Sequence, residues 1–242
     1  SIKNCSLLIQ QRYRLIKLIG QGGFGKTFLA LDETESPPSA CVVKQLSSHN
    51  QAPETLETKI LFQQEATRLE ELKHPQIPTL LAHFEEEQNL YLVQEFIDGI
   101  NLAQLLEEQG AFSEVQIWQL LNNLLPVLKF IHDRQIIHRD IKPANIIRRH
   151  SDKSLILVDF GAAKLVTKLT QYQTSTSIGS PEFVAPEQAK GKAVFASDLY
   201  SLGVTCIYLL TQIPPFDLFD VVNDCWVWRQ YLTSSISESL GQ

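Results

Sequence analysis

His138-Arg139-Asp140-Ile141-Lys142-Pro143-Ala144-Asn145 packs an acid, a cation and an amide into eight residues, beside a proline that blocks helix continuation. In such a loop the Asp can accept a proton, the Lys can neutralise phosphate charge and the Asn can ligate a hard cation through its oxygen. A plain polar loop with a satisfied histidine does not account for so many chemically matched groups in one place. Nineteen residues after Asp140, Asp159-Phe160-Gly161 follows the apolar run Leu155-Ile156-Leu157-Val158. A second carboxylate therefore stands at a strand end, where Mg2+ can be held, with a hairpin between the two acids.

Toward the N-terminus, Gly20-Gln21-Gly22-Gly23-Phe24-Gly25 lets the backbone approach phosphate oxygens and offer them N–H groups. Alone, the motif fits a flexible hairpin turn equally well. Lys26-Thr27-Phe28-Leu29-Ala30 continues as a strand, where a dinucleotide-binding fold needs a helix. Cys41-Val42-Val43-Lys44 ends an apolar strand in a lysine. Buried, that ammonium needs a phosphate or carboxylate to offset desolvation; on an edge strand it would simply point to solvent. Glu65, midway along the next helix, is the carboxylate that can pair with it, and Glu70 and Glu71 are its rivals.

The surrounding pattern separates two halves. Strands are expected at Tyr13–Gly20, Phe24–Asp32, Cys41–Leu46, Leu80–Phe84 and Leu90–Phe96, with an acidic turn at residues 85–89. One amphipathic helix, residues 54–72, lies among them, its apolar face read as Ile60, Leu61, Ala66, Leu69 and Leu72. Beyond Gly99 the period turns helical, at residues 102–108, then 114–134 with Ser113 as N-cap, then 196–210. A Thr/Ser-rich stretch from Leu165 to Phe183 shows no period, as functional loops do.

Composition narrows the classes. Hydrophobic residues at 44% and charged residues at 20% describe a globular chain rather than a disordered one. A net charge of −6 gives no basic footprint, so nucleic acid is not an expected partner. Four scattered cysteines without a CxxC pair fit a reduced, cytoplasmic setting, and no apolar run reaches the ~20 residues that span a bilayer. From Ser1 at the start and the lack of any methionine, the sequence is expected to be a fragment.

In this order, the glycine segment, Lys44, Glu65, the 138–145 loop, Asp159-Phe160-Gly161 and Gly179-Ser180-Pro181-Glu182-Phe183-Val184-Ala185-Pro186-Glu187 resemble the eukaryotic-type protein kinase superfamily over about residues 12–233. Lys142 resembles the serine/threonine branch. Gln21-Gly22-Gly23-Phe24-Gly25-Lys26-Thr27-Phe28-Leu29-Ala30 with Val42-Val43-Lys44-Gln45 is similar to bacterial, particularly cyanobacterial, members.

The resemblance implies an α+β, bilobal fold: a 1–12 extension, an N-lobe of residues 13–97 built from an antiparallel sheet plus one helix, and a mainly α C-lobe of residues 98–242. It implies transfer of the γ-phosphoryl of ATP, with Mg2+ or Mn2+, to Ser/Thr hydroxyls of protein substrates. Gly20, Gln21, Gly22, Gly23, Phe24 and Gly25 would cover the phosphates, and Lys44 would hold the α- and β-phosphates and pair with Glu65. Glu95 and Ile97 would present backbone groups to adenine, behind Gln94. Asp140 and Lys142 would act on the acceptor and the moving phosphoryl group, and Asn145 and Asp159 would bind metal. Leu69, Leu80, His138 and Phe160 match the family's stacked apolar column, and Asp198 matches the residue that anchors the catalytic loop. Arg139 beside Asp140 marks kinases whose loop phosphate meets a cationic pocket, with Thr170, Thr174, Ser175, Thr176 and Ser177 as acceptors.

Thr27 and Val42 depart from the family's usual Val and Ala around adenine. Glu187 usually pairs with a late arginine, and none follows Arg229. The last helices are therefore expected to be missing, leaving Glu187 as a buried, unpaired carboxylate that destabilises the fragment. A scaffolding pseudokinase is disfavoured by the presence of Lys44, Asp140, Asn145 and Asp159. A small-molecule phosphotransferase is disfavoured by the glycine loop and the Ala185-Pro186-Glu187 segment.

Overall fold

The computed structural model describes residues 7–22, 25–46, 56–160 and 180–241. They divide into two compact units, the break falling between Ile97 and Asp98. The architecture is α+β, with the sheet-rich part first.

The first unit holds β1 (Leu8–Ile9), β2 (Tyr13–Gly22), β3 (Gly25–Asp32), β4 (Ser39–Leu46), α1 (Leu56–Glu70), β5 (Leu80–Glu86) and β6 (Asn89–Glu95). The strands form one antiparallel sheet in the order β1-β2-β3-β4-β6-β5. Alternation along β4 sorts its side chains between faces. Cys41 and Val43 join Ile9, Tyr13, Leu15, Ala30, Tyr91 and Val93 in a buried cluster, while Val42, Lys44 and Leu46 project from the other face. Burial among these groups pushes the Cys41 thiol up to about 11. Of the helix, Phe62, Ala66 and Leu69 are buried at the i, i+4, i+7 spacing of one apolar face. Ile60, which the period placed on that face, is exposed.

Two hairpins are tighter than the sequence predicts. The β2–β3 strands pair up to Gly22 opposite Gly25. At Gly25 φ is +137°, and a Cβ there would fall 1.9 Å from the Gln45 carbonyl oxygen, so only glycine fits. Between β5 and β6 the pairing continues to Glu86 opposite Asn89, leaving Glu87 and Gln88, both left-handed at φ 48° and 64°, as the turn. Two left-handed residues match the twist of the flanking strands, so the ladder runs further than a five-residue acidic turn would allow.

The second unit comprises β7 (Gly99–Asn101), α2 (Leu102–Gln109), α3 (Glu114–His132), a 3-10 turn (Pro143–Asn145), β8 (Ile146–Arg149), β9 (Leu155–Leu157), α4 (Pro186–Ala189), α5 (Phe195–Thr211), β10 (Phe219–Asp220), β11 (Cys225–Trp226) and α6 (Glu238–Gly241). Ser113 caps α3 as its sequence predicts: its Oγ accepts from Gln116 N, and the Gln116 side chain accepts from Ser113 N. Ile117, Leu120, Leu124, Val127, Leu128 and Ile131 form the buried stripe of α3, and Leu202, Cys206, Leu209 and Leu210 that of α5. Among the described residues no helix is long and apolar enough to cross a membrane.

One expectation fails. Glu187 is only part-buried, and its Oε1 accepts a 2.6 Å hydrogen bond from Ser197 Oγ, which holds its carboxyl below the usual range. The Ser197 hydroxyl, itself accepting from Val194 N at the start of α5, supplies locally the partner that the sequence lacks in arginine.

Asp32, 4% exposed, accepts from Arg12 Nε and Nη2 and from the backbone and hydroxyl of Thr34; the guanidinium, chiefly, lowers its carboxyl to about 2. A carboxyl depressed on folding stabilises the native state above its unfolded value. That contribution is lost as pH falls from about 4 to about 2. Asp32→Asn is expected to lower stability in urea unfolding at neutral pH by about 1–3 kcal/mol. It should also flatten the acid limb in that window; an unchanged acid limb would exclude the linkage.

Candidate functional site

The 138–145 loop is shaped by a buried charge on another element. Asp198, in the first turn of α5, is fully buried. Its Oδ2 accepts from His138 N at 2.9 Å and from His132 Nε2 at 2.8 Å, and its Oδ1 accepts from Arg139 N at 2.9 Å. Three converging donors offset the desolvation of the carboxylate. They also fix Arg139 in a left-handed conformation, φ 70°, that a long side chain otherwise avoids at a cost of about 1–3 kcal/mol. The Arg139 carbonyl is captured from the opposite side by Gln188 Nε2 at 2.6 Å. With both of its peptide groups held, the turn is over-determined.

His138, 1% exposed, puts Nε2 2.8 Å from the Val158 carbonyl and accepts Asp140 N at Nδ1. The Nε2–H tautomer satisfies both contacts. Its ring meets Phe160 edge-on, with centroids 4.6 Å apart. The loop is thereby tied to the segment that ends in Asp159.

Within the loop, Pro143 starts a 3-10 turn that swings Asn145 back toward Asp140. Asn145 Nδ2 donates to the Asp140 carbonyl at 2.8 Å and to its Oδ2 at 2.9 Å. Lys142 Nζ lies 3.4 Å from Asp140 Oδ2 and donates to Ser180 Oγ at 2.7 Å, while Ser180 N approaches Asp140 Oδ1 at 3.4 Å. An acid, a cation, a hydroxyl and an amide therefore converge. The Asp140 carboxylate retains 21% side-chain exposure, so a substrate proton can reach it.

Asn145 immediately precedes β8, and Asp159 follows β9 by two residues. Ile146 pairs with Leu157, and Val158 N donates to the Asn145 carbonyl at 2.9 Å. Both residues thus stand at one end of the hairpin. The Asn145 NH2 is spent on Asp140, which leaves its oxygen for another partner. Asp159 is held at φ 66°. Two oxygen donors without His or Cys suit a hard cation completed by water and phosphate. Among the described residues no cluster of three or more His, Cys, Asp or Glu forms an all-protein metal cage.

The predicted residues from Gly20 to Ile97 lie in the first unit. Gly20, Gln21, Gly22 and Gly25 belong to the β2–β3 hairpin. Lys44, 5% exposed, stands opposite Thr27 and Leu92 in the register, and Val42 stands opposite Leu29 and Gln94. Gln94 and Ile97 are buried, and Glu95 N donates to Thr79 O. Leu69 and Leu80 are buried. Glu65 falls within α1, but its side chain lies outside the described residues, as do Gly23, Phe24, Gly161, Thr170, Thr174, Ser175, Thr176, Ser177 and Gly179. The rival Glu70 faces His83 at 3.6 Å.

Sequence reasoning missed His132 and Gln188. His132 follows the buried Val127, Leu128 and Ile131 at the end of α3, six residues before His138, a polar group at a core boundary that was available as a signal. Gln188 carried none, since its partner is a backbone carbonyl remote in sequence.

Residues 13–231 match the family model described as protein kinase domain. Serine/threonine-protein kinase C of Synechocystis sp. is 46% identical over 232 residues, covering 92% of this chain and 43% of the relative. Serine/threonine-protein kinase PknA of Nostoc sp. is 46% identical over 219 residues, covering 87% of this chain and 39% of the relative. The chain thus spans less than half the length of these curated relatives. A crystal structure of Rad53 in complex with AMP-PNP superposes with a TM-score of 0.67 at 25% identity, over 90% of this chain and 53% of that one.

Asp198→Ala is expected to cost about 3–5 kcal/mol, because its donors lose a buried charged acceptor. His132→Ala should cost about 1–3 kcal/mol. Hydrogen exchange at the His138 and Arg139 amides should accelerate most in Asp198→Ala; unchanged protection there would show that the loop is held by other contacts.

Proposed function

Because this chain belongs to the protein kinase domain family, we propose that it transfers the γ-phosphoryl group of ATP to serine or threonine hydroxyls of protein substrates, with Mg2+ as the preferred ion. The observation that carries this reading is the convergence of Asp140, Lys142, Asn145 and Ser180 within hydrogen-bonding reach of one another. The serine/threonine kinase names of the cyanobacterial relatives and the AMP-PNP held by Rad53 support it. A reduced, cytoplasmic setting suits Cys41, Cys206 and Cys225, which are free thiols.

In this mechanism Asp140 receives or orients the substrate hydroxyl proton, and its oxygens are aimed by Asn145 Nδ2 and Ser180 N. Lys142 supplies a compact positive charge beside the acceptor site, its ammonium positioned by Ser180 Oγ. The Asn145 oxygen and the Asp159 carboxylate would hold the divalent ion, which supplies charge neutralisation on the transferring phosphoryl. In the first unit, Lys44 would hold the α- and β-phosphates with Glu65 as its carboxylate partner. The Gly20, Gln21, Gly22, Gly23, Phe24 and Gly25 segment would cover the phosphates, and Glu95 and Ile97 would present backbone groups to adenine. These groups act by position and field, since the transition state is loose and highly charged.

Asp140→Asn is expected to reduce peptide phosphorylation by about 10²–10⁴-fold while leaving nucleotide affinity nearly intact. Removal of divalent ions by chelation should abolish transfer. Tight ATP binding by the unsubstituted protein, with no transfer to any peptide of a Ser/Thr array, would instead make it a scaffold.

The same reading includes activation by autophosphorylation on Thr170, Thr174, Ser175, Thr176 or Ser177, because Arg139 beside Asp140 can pair with a loop phosphate. Incubation with Mg-ATP should raise the intact mass in whole phosphoryl steps, and the rise should be absent from Asp140→Asn. A constant mass in an otherwise active enzyme would refute it.

A further inference from the structure

A cavity of about 460 Å³ opens on the second unit and contains none of the 138–145 loop. Its floor is apolar, made by Leu105 of α2, Phe112, Leu120 of α3 and Leu155 of β9, all of them buried. Its polar lining is weighted toward donors. The side chain of Arg148, on β8, makes no hydrogen bond or ion pair among the described residues, and Lys153 also lines the cavity. The one anion in the lining, Asp152, is neutralised by Arg149, whose Nε and Nη2 donate at 3.0 and 2.7 Å and hold that carboxyl well below the usual range. Gln116 has spent its carbonyl on the α3 cap and is left with its NH2 donor, and the exposed Gln119 stands at the mouth.

A guanidinium over an apolar floor selects an amphipathic anion, and the volume is that of a small-molecule pocket. We propose that this cavity binds a small carboxylic acid, its carboxylate forked by Arg148 and its apolar body seated on the α2–α3 floor. A peptide fits less well, because β8 is paired on both sides and all of β9 is buried, so no strand edge in the lining is open to a main-chain ladder. A phosphate dianion fits less well because its second charge and third oxygen would be desolvated against the apolar floor. The site needs no phosphoryl transfer, so its test stands or falls apart from the kinase reading.

Ligand-observed NMR and calorimetric titration with 4-phenylbutyrate, 4-phenylbutyramide and phenyl phosphate test the site. The carboxylate is expected to bind saturably, at about millimolar Kd or tighter. The neutral amide, and the carboxylate on Arg148→Gln, should each bind at least about tenfold more weakly. Gln119→Trp, at an exposed position, should block the mouth and weaken the carboxylate similarly, and it decides the matter if Arg148→Gln lowers the melting temperature. Equal affinity of acid and amide, affinity unmoved by both variants, absence of saturable binding, or tighter binding of phenyl phosphate would each overturn the proposal.

Discussion

The buried carboxylate of Asp198 sets the geometry on which the 138–145 loop of this molecule depends. A charge without solvent exposure must collect donors, and here it collects two successive backbone N–H groups and an imidazole. The same bonds that satisfy the charge force the chain into a left-handed step at Arg139. That step sends Asp140 and Lys142 onward in a direction that an unrestrained loop would rarely sample. Gln188, reaching the Arg139 carbonyl, closes the clamp from the far side. Stability and chemistry are thus joined: the cost of one buried charge is offset by bonds whose by-product is the orientation of another acid.

A second economy lies in how the loop spends its donors. Asn145 uses both protons of its amide on Asp140, which aims the Asp140 carboxylate and frees the Asn oxygen in one arrangement. Ser180 acts twice, its hydroxyl receiving Lys142 and its N–H approaching Asp140. Each small polar residue fixes two neighbours, so the part-buried acid keeps its place without being sealed from a substrate.

Much of the fold was legible because local rules agreed with one another. The apolar run Cys41–Leu46 named strand β4, Ser113 named the start of α3, and Lys26–Ala30 running on as a strand weighed against a dinucleotide fold. The errors fell where a neighbour decided the outcome. The acidic turn proved two residues long because Glu87 and Gln88 accept left-handed backbone, a choice the composition of residues 85–89 did not reveal. Ile60 fits the helical period yet stays exposed, since a period says which residues share a face but not how wide a face the sheet covers.

The sequence by itself determined the identity of the chemical groups and their order along the chain, because Asp140, Lys142, Asn145 and Asp159 are recognisable by type and spacing within a few residues. It equally determined the strand and helix periods that carry them. Only the tertiary structure decided what holds those groups in place. The family resemblance had already named Asp198 as the anchor of the loop, and His138 N and Arg139 N do bond to it; but His132 and Gln188, which hold the loop from other helices, and the serine that partners Glu187 are marked by no motif. The reason is physical: covalent spacing fixes which atoms are available, whereas a buried charge is satisfied by whichever donors packing brings within about 3 Å, and packing is a property of the whole chain.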